Sequence, residues 1–200
     1  MTAAAAPAQA RTIRFGKLLL GEGIEEVRFF QAILHKLGVS DIQVLEYGGK
    51  PGLRPFLRAL HTLPGFDRLT CVAITQDADD DVNAARMAVR GALEVSRRTW
   101  PASVRVEAFL LPDNANSGML ETACVESVQS DPAYPCVDQL LACVSDRAQR
   151  SPRNPWKARA HAYLATLERP DLRVGEAAER GIWKFEHSAF APLVEFVRRL

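Results

Sequence analysis

Acidic side chains follow two apolar runs of the chain, at the point where each run ends. The segment LLLGEGIEE places Glu22 after the first run, and the segment CVAITQDADDD places Asp77 and Asp79 after a later one. In open α/β sheets ligands bind at the carboxyl ends of the strands, so acids in these turns are better placed for chemistry than acids along a helix face. If the two strands are neighbours, we expect these carboxylates to converge.

Converging carboxylates repel one another unless a cation neutralises them. Hard divalent ions with oxygen ligands, Mg²⁺ or Mn²⁺, suit such a set. The spacing therefore predicts a Mg²⁺ or Mn²⁺ site built from Glu22, Asp77 and Asp79.

Four neighbouring acids have a second interpretation. In the first turn of a helix a carboxylate caps backbone amides and meets the positive end of the helix dipole. The four acids in such positions are Glu25, Glu26, Asp80 and Asp81. For them the spacing leaves capping and metal binding equally open.

The hydrophobic pattern indicates which elements position the acids. Apolar runs predict strands at 13–20, 41–47, 69–75 and 104–111, and helical spacing predicts helices at 24–37, 53–63, 83–99 and 119–128. Successive strand-to-helix units imply right-handed crossovers and a mainly parallel sheet flanked by helices. The fold class is therefore predicted to be α/β.

The last third of the chain is more polar and helical. Helices are predicted at 134–148, 155–167 and 188–200, separated by short proline-containing connections. We expect residues 131–200 to form a helical extension packed on the same domain as residues 13–130. Residues 1–12 begin with the small-residue segment MTAAAAPAQA and are predicted to be a disordered tail rather than a signal peptide.

The composition limits the function classes. A chain of 200 residues that is 48% hydrophobic suits one compact domain, and its four cysteines show no zinc-site spacing. No apolar segment approaches the roughly 18 residues that a membrane span needs, so we expect a cytoplasmic protein without a membrane partner. The formal net charge is only +1, so nucleic-acid binding would require a local basic surface.

Two segments could supply such a surface. The segment 147–159 is rich in basic residues, among them Arg153, Lys157 and Arg159, and either contacts phosphates or forms a solvated helix face. In YGGKPG, Lys50 and the glycine amides could approach a phosphate, although this pattern is also ordinary turn chemistry, which we favour.

The two acidic segments together resemble the Toprim domain, which topoisomerases, bacterial primases and nucleases of the overcoming-lysogenization-defect (OLD) type share. Over residues 14–200 the order of further motifs is similar to that of small stand-alone Toprim-related proteins. These motifs are GEGIEEVRFF, EYGGKPGLRPFL, QDADDD, FLLPDNANSGMLE, PRNPWKARAHAYLA and WKFEHSAF. The resemblance implies a Toprim-like, that is Rossmann-like, sheet over residues 13–130.

The resemblance also implies residue roles. Glu22 matches the superfamily glutamate that acts as general acid or base or as a metal ligand, and Asp77 and Asp79 match its metal-binding D-x-D pair. Glu26 matches the second glutamate of an E-x-x-x-E pattern in OLD-type nucleases. Glu121 could be a ligand for a second metal, or it could lie on a solvated helix turn.

The implied activity is Mg²⁺-dependent cleavage of nucleic-acid phosphodiesters, with DNA favoured over RNA and a role in DNA repair or anti-phage defence. Lys184 would correspond to a basic residue that OLD-type nucleases place near their metals. The alternative is a non-catalytic Toprim-like partner of a separate ATPase, since the chain has no G-x-x-x-x-G-K-[ST] motif of its own. The sequence leaves homodimer formation open.

Overall fold

A four-stranded parallel sheet forms the centre of the protein. The structure is a computed structural model and describes residues 11–200. The strand order is β2-β1-β3-β4, and every neighbouring pair is parallel. The strands are β1 (Lys17–Gly21), β2 (Ile42–Glu46), β3 (Cys71–Asp77) and β4 (Arg105–Leu111). The predicted α/β class with a mainly parallel sheet is confirmed, and the arrangement is consistent with a Rossmann-like fold.

The two central strands are buried on both faces. All seven residues of β3 are buried, and in β1 only the first residue, Lys17, is not. This explains why both strands are continuous apolar runs rather than alternating ones.

A helix follows each strand. These helices are α1 (Ile24–Leu37), α2 (Leu53–Ala59), α3 (Val82–Ser96) and α4 (Leu120–Val128). One hydrophobic core joins α1 and α4 to one face of the sheet, and a second core joins α2 and α3 to the other face. The sheet is therefore covered on both sides, as parallel sheets require.

The C-terminal part adds four helices to the core that contains α1 and α4. They are α5 (Tyr134–Ala148), α6 (Pro155–Leu164), α7 (Val174–Glu179) and α8 (Ala191–Arg199). Helix α7 is absent from the sequence prediction. It is fixed to α1 by Glu25, whose Oε2 accepts a hydrogen bond from Gly175 N at 2.9 Å.

Several predicted elements are shorter in the structure. Strand β1 begins at Lys17 rather than at residue 13, and three predicted helices have a terminal 3₁₀ turn. These turns are Leu60–Thr62, Arg97–Thr99 and Ser188–Phe190. Helix ends tighten in this way because their first N–H groups and last carbonyls lack intrahelical partners.

Most of the predicted tail, residues 1–10, lies outside the described residues. The next two residues contact β2: Arg11 Nη1 donates to Glu46 O at 2.8 Å, and Gln43 Nε2 donates to Thr12 O at 2.9 Å. None of the helices within residues 11–200 combines the length and apolar character that crossing a membrane requires.

Candidate functional site

The acidic segments meet at one edge of the sheet. Strands β1 and β3 are adjacent and parallel, with Leu20 opposite Ile74, so their carboxyl ends lie side by side. Glu22 follows the last residue of β1, and Asp77 is the last residue of β3. Strands β1 and β3 are therefore neighbours, as the predicted convergence of the carboxylates requires.

Glu22 has a carboxylate oxygen without a partner. Its Oε2 is buried and accepts no hydrogen bond from the residues that the structure describes. Burial raises the pKa of Glu22, a positive charge on Lys50 opposes that rise, and the nearby charges of Glu26 and Asp79 add to it. A buried, unpaired carboxylate oxygen is costly, so this atom is suited to bind a cation.

Asp77 is the most buried acid of the site, with 6% of its surface exposed. Its Oδ1 accepts a hydrogen bond from Leu120 N, in the first turn of α4, at 3.0 Å. Burial raises the pKa of Asp77 well above its ordinary value, and the charge of Glu121 raises it further. The side chain is thus fixed in position while its negative charge remains poorly compensated.

Asp79 lies at the rim of the site. Its φ of 51° is left-handed, a conformation that aspartate tolerates better than most residues. It forms an isolated antiparallel bridge with Gly118, with both backbone hydrogen bonds at 2.7 Å. Its carboxylate pairs with the ammonium group of Lys50.

Lys50 interacts with all three of these acids. Its Nζ donates to Asp79 Oδ2 and, at 2.9 Å, to the backbone oxygen of Asp77, and its positive charge opposes the rise in the pKa of Glu22 that burial causes. The preceding Gly48 and Gly49 have φ of 84° and 80° and donate their N–H groups to Glu22 O at 3.1 and 2.8 Å. These glycine amides therefore shape a turn around Glu22 and are already paired.

Glu121 lies on the same edge of the sheet. Its side chain is only 13% exposed and lies 3.9 Å from Lys157 Nζ. Burial raises the pKa of Glu121, while Lys157 opposes the rise and Glu26 adds to it. Of the two alternatives left open by the sequence, the solvated helix turn is therefore wrong.

Some of the other acids have structural partners. Glu26 Oε2 accepts from Gly23 N at 2.9 Å at the start of α1, which is a capping contact, although its charge also acts on Asp77. Asp81 Oδ1 caps α3 by accepting from Asn83 N and Ala84 N at 2.8 and 3.0 Å. Capping is thus an observed role of Glu26 and Asp81, and Glu25 caps α7 as described above.

Two residues of the basic segment 147–159 also reach the edge of the sheet at which Glu22 and Asp77 lie. Arg153 lines a cavity of about 280 Å³ that Asp79 and Asp80 also line. Burial alone would lower the pKa of Lys157, but Glu121 and the other carboxylates of the site together raise it.

Two other predicted nucleic-acid contacts have protein partners. Arg159 Nε pairs with Asp138 Oδ1 at 2.9 Å, and its guanidinium group lies 5.7 Å from the centre of the Trp156 ring. Lys184 Nζ lies 3.3 Å from Ser130 Oγ and lines a cavity beside His35, near the far end of α1. Because α1 runs back from the carboxyl ends of the strands, the structure does not bring Lys184 to the acidic edge.

Two residues beside the site were not predicted from the sequence. Trp156 is half-buried and lines the cavity next to Asp79 as well as an adjoining one. Asn154 caps α6, with its Oδ1 accepting from Lys157 N at 3.0 Å. The sequence NPWK carries the signal for this cap, because asparagine before proline commonly starts a helix.

The residues fit a hard divalent cation in chemical type, because Glu22 Oε2 has no partner and Asp77 carries a buried charge. Within residues 11–200, however, no group of three or more His, Cys, Asp or Glu side chains is already arranged around a metal position. Lys50 lies between the oxygens that would have to converge.

Comparison with known proteins identifies the family of the chain. No curated protein and no solved structure matched it. A family model matches residues 16–200, which is nearly the whole chain, and the protein therefore belongs to the family described as Protein of unknown function (DUF3226).

Proposed function

We propose that this protein is a Toprim-like nuclease that uses Mg²⁺ or Mn²⁺ to hydrolyse phosphodiester bonds in nucleic acid. The observation that carries the proposal is the unpartnered, buried Glu22 Oε2 beside Asp77, at the adjoining carboxyl ends of β1 and β3. The sequence resemblance to Toprim domains supports it, because it assigns metal chemistry to the same residues.

Glu22, Asp77 and Asp79 would hold the ion. When bound, a divalent ion supplies positive charge and Lewis acidity to the phosphodiester oxygens. Glu121 and Glu26 lie close enough to influence the site electrostatically and would serve a second ion.

The protein itself contributes positioning and proton transfer. The Leu120 N–H fixes Asp77, and the Gly48–Gly49 turn fixes the main chain at Glu22. Burial raises the pKa of Glu22, the direction that favours proton exchange by a carboxyl group, and the resemblance implies an acid or base role for this residue. Glu22 is therefore the proposed general acid or base.

The substrate would approach from the side of α6. Arg153 lines the cavity beside Asp79, and Lys157 lies 3.9 Å from Glu121, so both put positive charge next to an edge that otherwise carries acids. Since the net charge is only +1, these local cations would carry the attraction to phosphate. We propose DNA as the substrate, with cytoplasmic DNA repair or anti-phage defence as the setting.

Cleavage assays test the proposal. Purified protein is incubated with supercoiled plasmid, linear duplex, single-stranded DNA and RNA, each with Mn²⁺, Mg²⁺ or a chelator. We expect metal-dependent cleavage that Glu22→Gln and Asp77→Asn each reduce at least a hundredfold, the range typical of lost acid–base or electrostatic groups.

Asp81→Asn is the matched control. It removes one negative charge from the same loop and keeps an oxygen that can cap α3, so its activity should equal that of wild type. Cleavage that persists unchanged in Asp77→Asn would contradict the proposal. If the protein binds metal and DNA but cleaves no substrate, the alternative role as partner subunit of a separate ATPase is supported instead.

A further inference from the structure

Lys50 occupies the position of a cation within the acidic site. Its Nζ contacts Asp79 Oδ2 and the backbone oxygen of Asp77, and the turn before it is bound to Glu22 O through the N–H groups of Gly48 and Gly49. We propose that Lys50 is a built-in counter-ion, which neutralises the site before a divalent ion binds and is displaced when the ion arrives. This proposal rests on the metal site of the proposed function.

The groups around the ammonium are those that a hard cation prefers. Carboxylate and carbonyl oxygens coordinate Mg²⁺ and Mn²⁺, and here one of each already binds Lys50. A divalent ion between Glu22 and Asp79 would repel an ammonium group that shares the same oxygens. The two cations therefore compete for one position.

The structure lets the side chain move while the backbone stays in place. The backbone around Lys50 is held by the paired amides of Gly48 and Gly49, and by the close approach of Gly52, at which an added Cβ would lie 2.2 Å from Tyr47 O. The Lys50 side chain is 34% exposed and has a flexible four-carbon stem. Displacement thus requires only a change of side-chain rotamer.

Displacement would also give Lys50 a second role. Its backbone stays beside Glu22, so the released ammonium stays at the rim of the site, where an anionic phosphodiester would bind. Metal binding and phosphate binding are then coupled through one lysine, and each strengthens the other.

Metal affinity tests the competition directly. The dissociation constant for Mn²⁺ is measured by calorimetry and by electron paramagnetic resonance for wild type and Lys50→Met. Without the competing cation, we expect Lys50→Met to bind Mn²⁺ up to about fivefold more tightly, since a partly exposed ion pair is worth up to about that factor. Neither measurement depends on nuclease activity.

The matched control is Lys17→Met. Lys17 Nζ forms a similar pair with Asp41 Oδ2 at 2.7 Å, but at the first residue of β1 and therefore at the opposite end of the strand from Glu22. The substitution removes the same charge from the protein and should leave Mn²⁺ affinity unchanged.

Amine labelling of the unmodified protein provides a second measurement. Mn²⁺ should raise the rate at which a lysine-specific reagent modifies Lys50, with the exposed Lys36 of α1 as the internal reference. In Asp77→Asn, Mn²⁺ should leave that rate unchanged.

The two proposals fail in different ways. If wild type binds Mn²⁺ and Lys50→Met binds it equally or more weakly, Lys50 is not a competitor, while the metal site stands. If neither protein binds Mn²⁺, the metal site and the proposed function fall together. A labelling rate at Lys50 that does not respond to bound Mn²⁺ also overturns the displacement.

Discussion

Replacement of Asp77 by asparagine should stabilise the metal-free protein. Asp77 is 6% exposed, and burial raises the pKa of its carboxyl group above the unfolded value, so the folded protein retains this proton more readily than the unfolded chain. Stability is therefore lost as the pH rises from the unfolded pKa of about 4 through the higher folded pKa, and each unit of difference between the two costs about 1.4 kcal/mol. Asparagine is neutral, has the same shape, and keeps an oxygen that can accept from Leu120 N.

The expected gain is about 1–3 kcal/mol at neutral pH, the usual penalty for a buried polar group that is incompletely paired. For a chain of this size each kcal/mol raises Tm by about 2–4 °C. An excess of Mn²⁺ at about 100 times its dissociation constant should instead stabilise wild type by about 2.7 kcal/mol. Asp77→Asn should lose most of that effect, so Mn²⁺ should cancel or reverse the difference between the two melting temperatures.

Thermal unfolding followed by calorimetry, in chelator and across a Mn²⁺ series, measures both effects. Asp81→Asn is the control, because its charge lies in the same loop at an exposed capping position, and it should respond to Mn²⁺ as wild type does. A melting temperature of Asp77→Asn below that of wild type in chelator would contradict this prediction. An equal rise in the melting temperatures of both proteins with Mn²⁺ would also contradict it.

Two further predictions follow from the same geometry. In chelator, the stability of wild type relative to Asp77→Asn should decline from about pH 4 towards neutral, because burial raises the pKa of Asp77; circular dichroism melts in which this difference does not change with pH would contradict it. Gly175→Ala should lower the free energy of unfolding by about 1–3 kcal/mol, since the added Cβ would lie 2.6 Å from Glu25 O. Urea titrations measure this change, and an unchanged midpoint would show that α7 is not tightly packed on α1.

The elements that form the site were predictable because their signals are local. The apolar runs that end at Glu22 and Asp77 are continuous, since both strands are buried on both faces. A parallel sheet places the ends of neighbouring strands at one edge, so the position of these acids followed from the pattern.

The contacts that complete the site were not predictable because they are remote in sequence. Lys50 and Asp79 are 29 residues apart, and nothing in YGGKPG indicates that its lysine pairs with QDADDD. Helix α7 has only six residues and begins VG, and its cap comes from Glu25, which is 150 residues away from Gly175. A short helix of this kind depends on tertiary packing rather than on its own propensity.

The basic segment 147–159 shows a third limit of prediction from sequence. Its charges are evident in the sequence, but their partners are not: Arg159 pairs with Asp138 of α5, 21 residues away, whereas Arg153 faces the cavity beside Asp79. Charge composition indicates how many cations a segment carries, and only packing decides which of them stay available to phosphate.

A crystal of the protein soaked in Mn²⁺ would show whether a divalent ion binds between Glu22, Asp77 and Asp79. We predict an anomalous difference peak about 2.1 Å from Glu22 Oε2 and from carboxylate oxygens of Asp77 and Asp79, with the Lys50 ammonium moved away from Asp79. If millimolar Mn²⁺ gives no peak at this edge of the sheet and Lys50 is still paired to Asp79, the proposed metal site is contradicted.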